Sequence, residues 1–78
     1  MVIKLKVANH NGASVVDTYK TVKDAKRYLN EASYYAEKVW LSSSFNEFVE
    51  YTSKTSLAAL MADAKRYGDG FIHVSIEF

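Results

Sequence analysis

Seventy-eight residues are enough for one small domain, and 49% of them are hydrophobic, which is typical of a globular protein and excludes a disordered chain. No cysteine is present, which excludes disulfide-stapled folds and thiolate zinc sites. Ten Lys and Arg against nine Asp and Glu leave a net charge of +1, so long-range steering of a nucleic acid is not expected and an acidic DNA mimic is excluded.

The first segment, residues 2–8, alternates between apolar and polar side chains and predicts a half-buried strand. Its lysines, and the lack of a small-residue cleavage pattern, are unlike a signal peptide. No apolar run in the chain approaches the roughly 20 residues that a membrane span needs. We therefore expect a soluble, cytoplasmic protein, folded as a single domain over residues 1–78, without a cofactor.

Asn11-Gly12 is a strong β-hairpin signal, because both central positions of the turn favour positive φ. Residues 14–20 are rich in β-formers and predict the returning strand. A two-residue turn fixes the register of this hairpin. A four-residue loop would keep the same side chains of the returning strand on each face of the hairpin, whereas a three-residue loop would move them to the opposite face. The pairs expected for the two-residue turn are Val7–Val16, Leu5–Thr18, Lys6–Asp17 and Lys4–Tyr19.

Residues 21–41 admit two interpretations. Thr21 is a suitable N-cap, and most apolar side chains after it fall within roughly 140° of a helical circumference. Only Tyr34 and Leu41 depart from this pattern, and no Gly or Pro interrupts it, so we favour one long helix that ends near Leu41. The alternative ends the helix near Ala32 and turns the next segments, SYYAEKVWLSS and FNEFVEYT, into two strands.

The remaining chain predicts two more helices and a last strand. Ser44-Phe45-Asn46-Glu47 fits the S-x-x-E capping box and predicts a short second helix. A third helix covers about residues 55–67 and ends at Gly68, which suits a left-handed helix terminus. Residues 71–78 alternate between apolar and polar side chains and predict a strand.

The resulting order, β-β-α-α-α-β, predicts an α+β fold in which helices pack on the apolar face of a three-stranded sheet. The pentapeptide DAKRY occurs twice, at Asp24–Tyr28 and at Asp63–Tyr67. A duplication would instead give the order ββα-ββα-β. Because each copy places Ala on a buried helix face and Tyr at its margin, we interpret the recurrence as convergence on a helical pattern and keep the duplication as the alternative.

The sequence contains no recognisable catalytic constellation. His10 and His73 have no partner at a ligand spacing, so a metal site is not indicated. Gly68-Asp69-Gly70 follows a helix rather than opening one, unlike a phosphate loop. Residues 42–44 are serines without a G-x-S-x-G elbow. We therefore expect a protein that is not an enzyme.

Exposed aromatic and small side chains favour a function in protein binding. Tyr34 and Leu41 lie on the otherwise polar side of the predicted long helix, and exposed Tyr, Trp and Leu are typical of interfaces. Alanines on the outward face of the third helix allow another helix to approach closely. Both features also have purely structural explanations, in tyrosines at a core margin and in helix propensity. The expected contact residues are Tyr34, Leu41, Arg27, Lys38, Ala58 and Ala62.

Small cysteine-free chains of this kind are common among phage and mobile-element products. By analogy of size only, we expect an inhibitor of a host enzyme or defence complex, similar in kind to anti-CRISPR or anti-restriction proteins. Such an inhibitor would have another protein as its partner and would act by steric occlusion.

The alternative function is binding of single-stranded nucleic acid by the open face of the sheet. On such surfaces bases stack on rings and phosphates meet lysines. Asp17 and Glu77 are expected on the same face and weaken this hypothesis. Homodimerisation, through the alanine strip or a free strand edge, is a third hypothesis that is compatible with either function. The residues expected to bind nucleic acid are Lys4, Lys6, Tyr19 and His73.

Overall fold

The computed structural model describes residues 2–8, 12, 14–43 and 47–78, which contain five strands and two helices. The strands are β1 (Ile3–Ala8), β2 (Ser14–Tyr19), β3 (Lys38–Ser43), β4 (Val49–Glu50) and β5 (Phe71–Glu77). The helices are α1 (Val22–Tyr35) and α2 (Leu57–Tyr67). The protein is therefore an α+β protein, as predicted, and its element order is ββα-ββα-β. Neither helix is long and apolar enough to cross a membrane.

The five strands form one mixed sheet in the order β2-β1-β5-β3-β4, so the expectation of three strands is wrong. β1 and β5 are parallel neighbours, and the other three pairings are antiparallel. Parallel strands need a crossover connection, and here the whole chain between β1 and β5 provides it. The sheet therefore joins residues from opposite ends of the sequence, such as Lys4 and Phe71.

Both helices pack on one face of the sheet, and the hydrophobic core lies between the two layers. Each buried Leu, Ile or Met side chain contributes about 1.5–3 kcal/mol relative to its exposed state. The core is continuous from the strands into both helices, so neither half of the chain has a core of its own. Its almost fully buried hydrophobic members in β1, α1, β3, α2 and β5 are Ile3, Leu5, Ala25, Leu29, Val39, Leu41, Leu57, Met61, Ala64, Ile72 and Val74.

The prediction of one helix extending to Leu41 is wrong, because α1 ends at Tyr35. Ala36 is already extended, with φ −108° and ψ 154°, and β3 begins two residues later. As a strand between β5 and β4, β3 buries Leu41 completely. Its alternation is hard to recognise in the sequence, because a serine (Ser43) faces the core while Trp40 lies on the other side.

The predicted short second helix is wrong where the structure describes it, since Val49–Glu50 is the edge strand β4. Residues 44–46 of the expected capping box lie outside the described residues. The third predicted helix is confirmed as α2, with Ser56 as its N-cap accepting a hydrogen bond from the backbone N–H of Ala59. Gly68 follows α2 as expected, but its φ is −151°, so the left-handed terminus predicted there is wrong.

The β1–β2 hairpin has a different register from the one predicted. Leu5 lies opposite Asp17, and Val7 lies opposite Val15. The predicted turn residue Asn11 lies outside the described residues, whereas Gly12 has a positive φ of +82°. Because the ladder closes at the pair Ala8–Ser14, an odd number of residues connects the strands, and this exchanges the two faces of β2.

The two copies of DAKRY do not occupy equivalent positions, although the observed order is the one that the duplication alternative predicts. α1 begins at Val22 and α2 at Leu57, 35 residues further on (57 − 22), and β1 and β3 start at the same interval. The copies of DAKRY start at Asp24 and Asp63, 39 residues apart (63 − 24). The alanine of each copy is buried, as expected. The pentapeptide is therefore out of register with the repeated element order.

Candidate functional site

The face of the sheet that points away from both helices is the candidate site, and we call it the open face. Its members follow from strand alternation, since the neighbours of buried core residues point to the opposite side. Four strands supply most of its side chains, and the edge strand β4 adds one. These residues are Ser14, Val16 and Thr18 of β2, Lys4, Lys6 and Ala8 of β1, Phe71, His73, Ser75 and Glu77 of β5, Lys38, Trp40 and Ser42 of β3, and Glu50 of β4.

Two lysines of the open face lie over aromatic rings. The Nζ atom of Lys4 is 5.5 Å from the ring centroid of Phe71 on the neighbouring strand. The Nζ atom of Lys38 is likewise 5.5 Å from the ring of Trp40. At exposed positions such cation–π contacts contribute about 0.5–1 kcal/mol each. Cation and ring are therefore held together at two places on this surface.

His73 lies between these two pairs, opposite Lys6 on β1 and Ser42 on β3. Its Nε2 is 3.0 Å from Oδ2 of Asp69, in the loop that precedes β5. The other carboxylate oxygen of Asp69 accepts a hydrogen bond from the backbone N–H of Phe71, at 3.0 Å. This hydrogen bond, together with the charge of His73, lowers the pKa of Asp69 below its usual value. Asp69 thus fixes both the start of β5 and the position of the imidazole.

Trp40 and Phe48 line a shallow depression of about 310 Å³ at the β3 side of the open face, together with Ser75 and Glu77. Phe48 precedes β4 and is 51% exposed. The indole Nε1 of Trp40 is buried and has no hydrogen-bond partner among the described residues. A buried donor without an acceptor costs about 1–3 kcal/mol, so the packing around Trp40 is destabilising at this one atom.

The two carboxylates that belong to the strands of the open face lie at its margins, whereas Asp69, from the loop before β5, reaches His73 at its centre. Lys4 and Lys6 follow one another on β1, which is an inner strand. Glu50 belongs to the edge strand β4, and Glu77 is the last residue of β5. Asp17, which was expected on this surface, points to the helix side instead, because the register places it opposite the buried Leu5.

Three of the residues predicted for nucleic-acid binding, Lys4, Lys6 and His73, lie together on the open face. Tyr19 does not, because the changed hairpin register turns it to the helix side. Its ring centroid is 5.9 Å from that of Tyr28 on α1. Burial, and then the nearby charge of Asp17, raise the pKa of Tyr19 above its usual value.

The residues predicted to contact a protein are spread over three elements. Leu41 is fully buried, so its expected exposure on a helix is wrong, and Lys38 lies on the open face rather than on α1. Tyr34 is 82% exposed near the end of α1, as predicted. The set divides into Arg27 and Tyr34 on α1, Lys38 and Leu41 on β3, and Ala58 and Ala62 on the exposed side of α2.

Two aromatic residues of the open face were missed in the sequence. Phe71 precedes the buried Ile72 and lies two residues before His73. The alternation of residues 71–77 therefore already indicated that Phe71 and His73 lie on the same face of the sheet. Trp40 had been assigned to the buried side of the long helix. Its true position depends on β3, which only the alternative interpretation predicted, as a strand within SYYAEKVWLSS.

The described residues include a second concave surface, a mostly apolar groove of about 490 Å³ between β4 and α2. Val49 and Leu60 line it, and Lys54 is the cation at its border. Within the described part of the chain, no cluster of three or more His, Asp or Glu side chains is arranged to hold a metal ion. On the helix side, the guanidinium of Arg66 also lies 5.0 Å from the ring centroid of Tyr67. The open face is the surface of the described residues on which two such cation–ring pairs lie together.

Comparisons of this chain with protein-family models, with curated proteins and with solved structures find no match.

Proposed function

We propose that this chain is a cytoplasmic, non-enzymatic domain that binds single-stranded nucleic acid on the open face of its sheet. The observation that carries the proposal is the interleaving of three lysines, Lys4, Lys6 and Lys38, with the rings of Phe71 and Trp40 on one surface. Single strands are bound by this combination, because phosphates pair with cations while unstacked bases stack on rings.

The spacing of the two cation–ring pairs suits a nucleic-acid strand that runs roughly along β5. Phe71 begins β5, and Trp40 lies opposite Ser75, four residues further along that strand. Four residues of a β-strand cover about 13 Å, so a few nucleotides reach from one ring to the other. A base that stacks on Phe71 takes the position of the Lys4 ammonium, which then moves to a neighbouring phosphate.

Binding is expected to depend on salt through these lysines alone, since the net charge of +1 provides little long-range attraction. Each lysine–phosphate contact with a single strand contributes about −0.7 to the slope of log K against log salt concentration, so three contacts give about −2. The expected site is small and its affinity modest, and the measurements belong at low salt.

The test is fluorescence anisotropy of a short labelled single strand at several salt concentrations. The double variant Lys4→Ala, Lys6→Ala is expected to bind more weakly and to reduce the magnitude of the slope by about 1.4. The control, Lys23→Ala with Lys65→Ala, removes the same charge from exposed positions on the helices and is expected to bind like the wild type. No binding at low salt, or equal losses in both double variants, would refute the proposal.

The contribution of the rings is measured in the same assay with Phe71→Leu. This change keeps an apolar side chain beside Lys4 but removes the stacking surface. Base stacking on an aromatic side chain is worth about 1–3 kcal/mol, so the binding free energy is expected to become less favourable by that amount. The slope of log K against log salt concentration is expected to stay unchanged. Thermal unfolding of each variant separates lost binding from lost structure.

Protein binding is the second candidate, and one observation favours it. Tyr34 and Tyr35 are 82% and 71% exposed at the end of α1, where their rings form a T-shaped pair with centroids 5.0 Å apart. Tyr35 and the exposed Phe78 also line a groove with Ile76. Exposed aromatic residues are enriched where proteins meet. An inhibitor of a host enzyme, the role expected from chain size, would use this helix-side surface.

A further inference from the structure

The two edges of the sheet differ in length. β4 forms one edge with only two residues, Val49–Glu50. β2 forms the other edge with six residues, each of which pairs with β1 on the inner side. Along its outer side, β2 pairs with no strand in the described part of the chain. A row of backbone N–H and C=O groups therefore faces outward along β2.

β2 has few of the features by which proteins keep edge strands apart, and Asp17 is its only charged residue. Natural edges are short, or they carry charged side chains (lysine above all), proline or a bulge. β2 has the sequence SVVDTY, without lysine or proline, and its unbroken pairing with β1 leaves no room for a bulge. Val15 and Val16 are 61% and 49% exposed. Such a strand is a template for adding another strand.

We propose that the strand added to β2 is the β2 of a second copy of this chain, antiparallel to the first across a two-fold axis. Two five-stranded sheets would then form one continuous sheet of ten strands. A two-fold axis perpendicular to the sheet makes the paired strands antiparallel and keeps both helical layers on the same side. Directly opposed residues must then belong to the same face.

The sequence of β2 is complementary to itself in this arrangement. With the axis at Val16, the two Val16 side chains oppose each other, Ser14 opposes Thr18, and Val15 opposes Asp17. No like charges are directly opposed, which is a requirement for stable cross-strand pairs. Shifting the axis to Asp17 would oppose two carboxylates, and shifting it to Val15 would pair fewer residues of β2, so the register centred on Val16 is preferred. This self-complementarity is what favours a second copy over an unrelated peptide.

The dimer would also enlarge the open face. Both copies would present it on the same side, and their β1 strands would be three strand spacings apart, about 14 Å. The lysines of the two copies would then form one basic surface across the two-fold axis. The dimer does not depend on nucleic-acid binding, and its formation is measured without nucleic acid.

Sedimentation equilibrium of the wild-type chain, from about 10 μM to about 1 mM, is the first arm of the test. The mass is expected to rise with concentration from 8.8 kDa towards twice that value. A mass that remains at 8.8 kDa over the whole series would overturn the proposal without any variant.

Val16→Glu is the second arm. Within one copy, the new carboxylate would lie opposite Lys6, a favourable cross-strand pair, so the fold is expected to tolerate it. In the dimer the two carboxylates would oppose each other, and the dissociation constant is expected to rise by roughly tenfold or more. Val49→Glu is the matched control, since Val49 is 52% exposed on the other edge, and it should leave the constant unchanged. Equal effects of both changes, or no effect of Val16→Glu, would contradict pairing through β2.

Discussion

Asp69 fixes the start of β5 through two contacts that both favour its ionised form. One carboxylate oxygen accepts a hydrogen bond from the backbone N–H of Phe71, and the other lies 3.0 Å from Nε2 of His73. The pKa of Asp69 is therefore lower in the folded chain than its ordinary value of 3.8. Because the folded-state pKa is the lower one, this contribution to stability is complete above the unfolded-state pKa and is lost as the pH falls through the folded-state pKa.

Asp69→Asn is expected to lower the free energy of unfolding at neutral pH and to make it less sensitive to acid. Asn keeps an oxygen for the N–H of Phe71 but does not titrate. Between about pH 5 and pH 2 the wild type should therefore lose more stability than the variant. Urea unfolding at a series of pH values measures the difference. Parallel pH profiles for the two proteins would show that Asp69 contributes nothing through its charge.

At the scale of secondary structure, the change from α1 to β3 determines which side chains reach the open face. Helical periodicity continues past Tyr35, yet the chain becomes extended at Ala36 and enters the sheet at Lys38. As a strand, this segment buries both Val39 and Leu41 in the core, whereas a continued α1 would leave Leu41 on its polar side. Tertiary burial has thus overridden local helical preference.

Leu41→Ala distinguishes the two interpretations of this segment. In the observed strand the change creates a core cavity, and the free energy of unfolding is expected to fall by about 2–5 kcal/mol. Tyr34→Ala, at an exposed position of α1, should change it by no more than about 0.5 kcal/mol. Chemical denaturation measures both. Similar small effects of the two changes would mean that Leu41 is not in the core.

Elements with one buried and one exposed face were predictable from the sequence, and these are β1, β5, α2 and the main part of α1. β3 and β4 were predicted only by the alternative interpretation, because the two residues of β4 leave no periodic signal and Ser43 lies on the core side of β3. The hairpin register depends on loop length, which the residues of the turn do not fix. Lys4, Lys6 and His73 could therefore be placed on the open face, whereas Trp40 and Lys38 could not.

At the scale of the whole molecule, the open face exists only when both ends of the chain have come together. β1 and β5 pair in parallel at the middle of the sheet, and this pairing places Lys4 beside Phe71 and Lys6 beside His73. Closing a loop of almost the whole chain has an entropic cost that the core on the other face must offset. The arrangement of Lys4 beside Phe71 and of Lys6 beside His73 therefore requires the β1–β5 pairing.

Amide chemical-shift mapping of the isotope-labelled chain, titrated with a short single-stranded oligonucleotide at low salt, tests the proposed site most directly. The largest changes are expected at Lys4, Lys6, Phe71 and His73 and at the indole N–H of Trp40, with the end of α1 around Tyr34 unaffected. A spectrum that does not change, or changes confined to the helix side, would contradict binding through the open face.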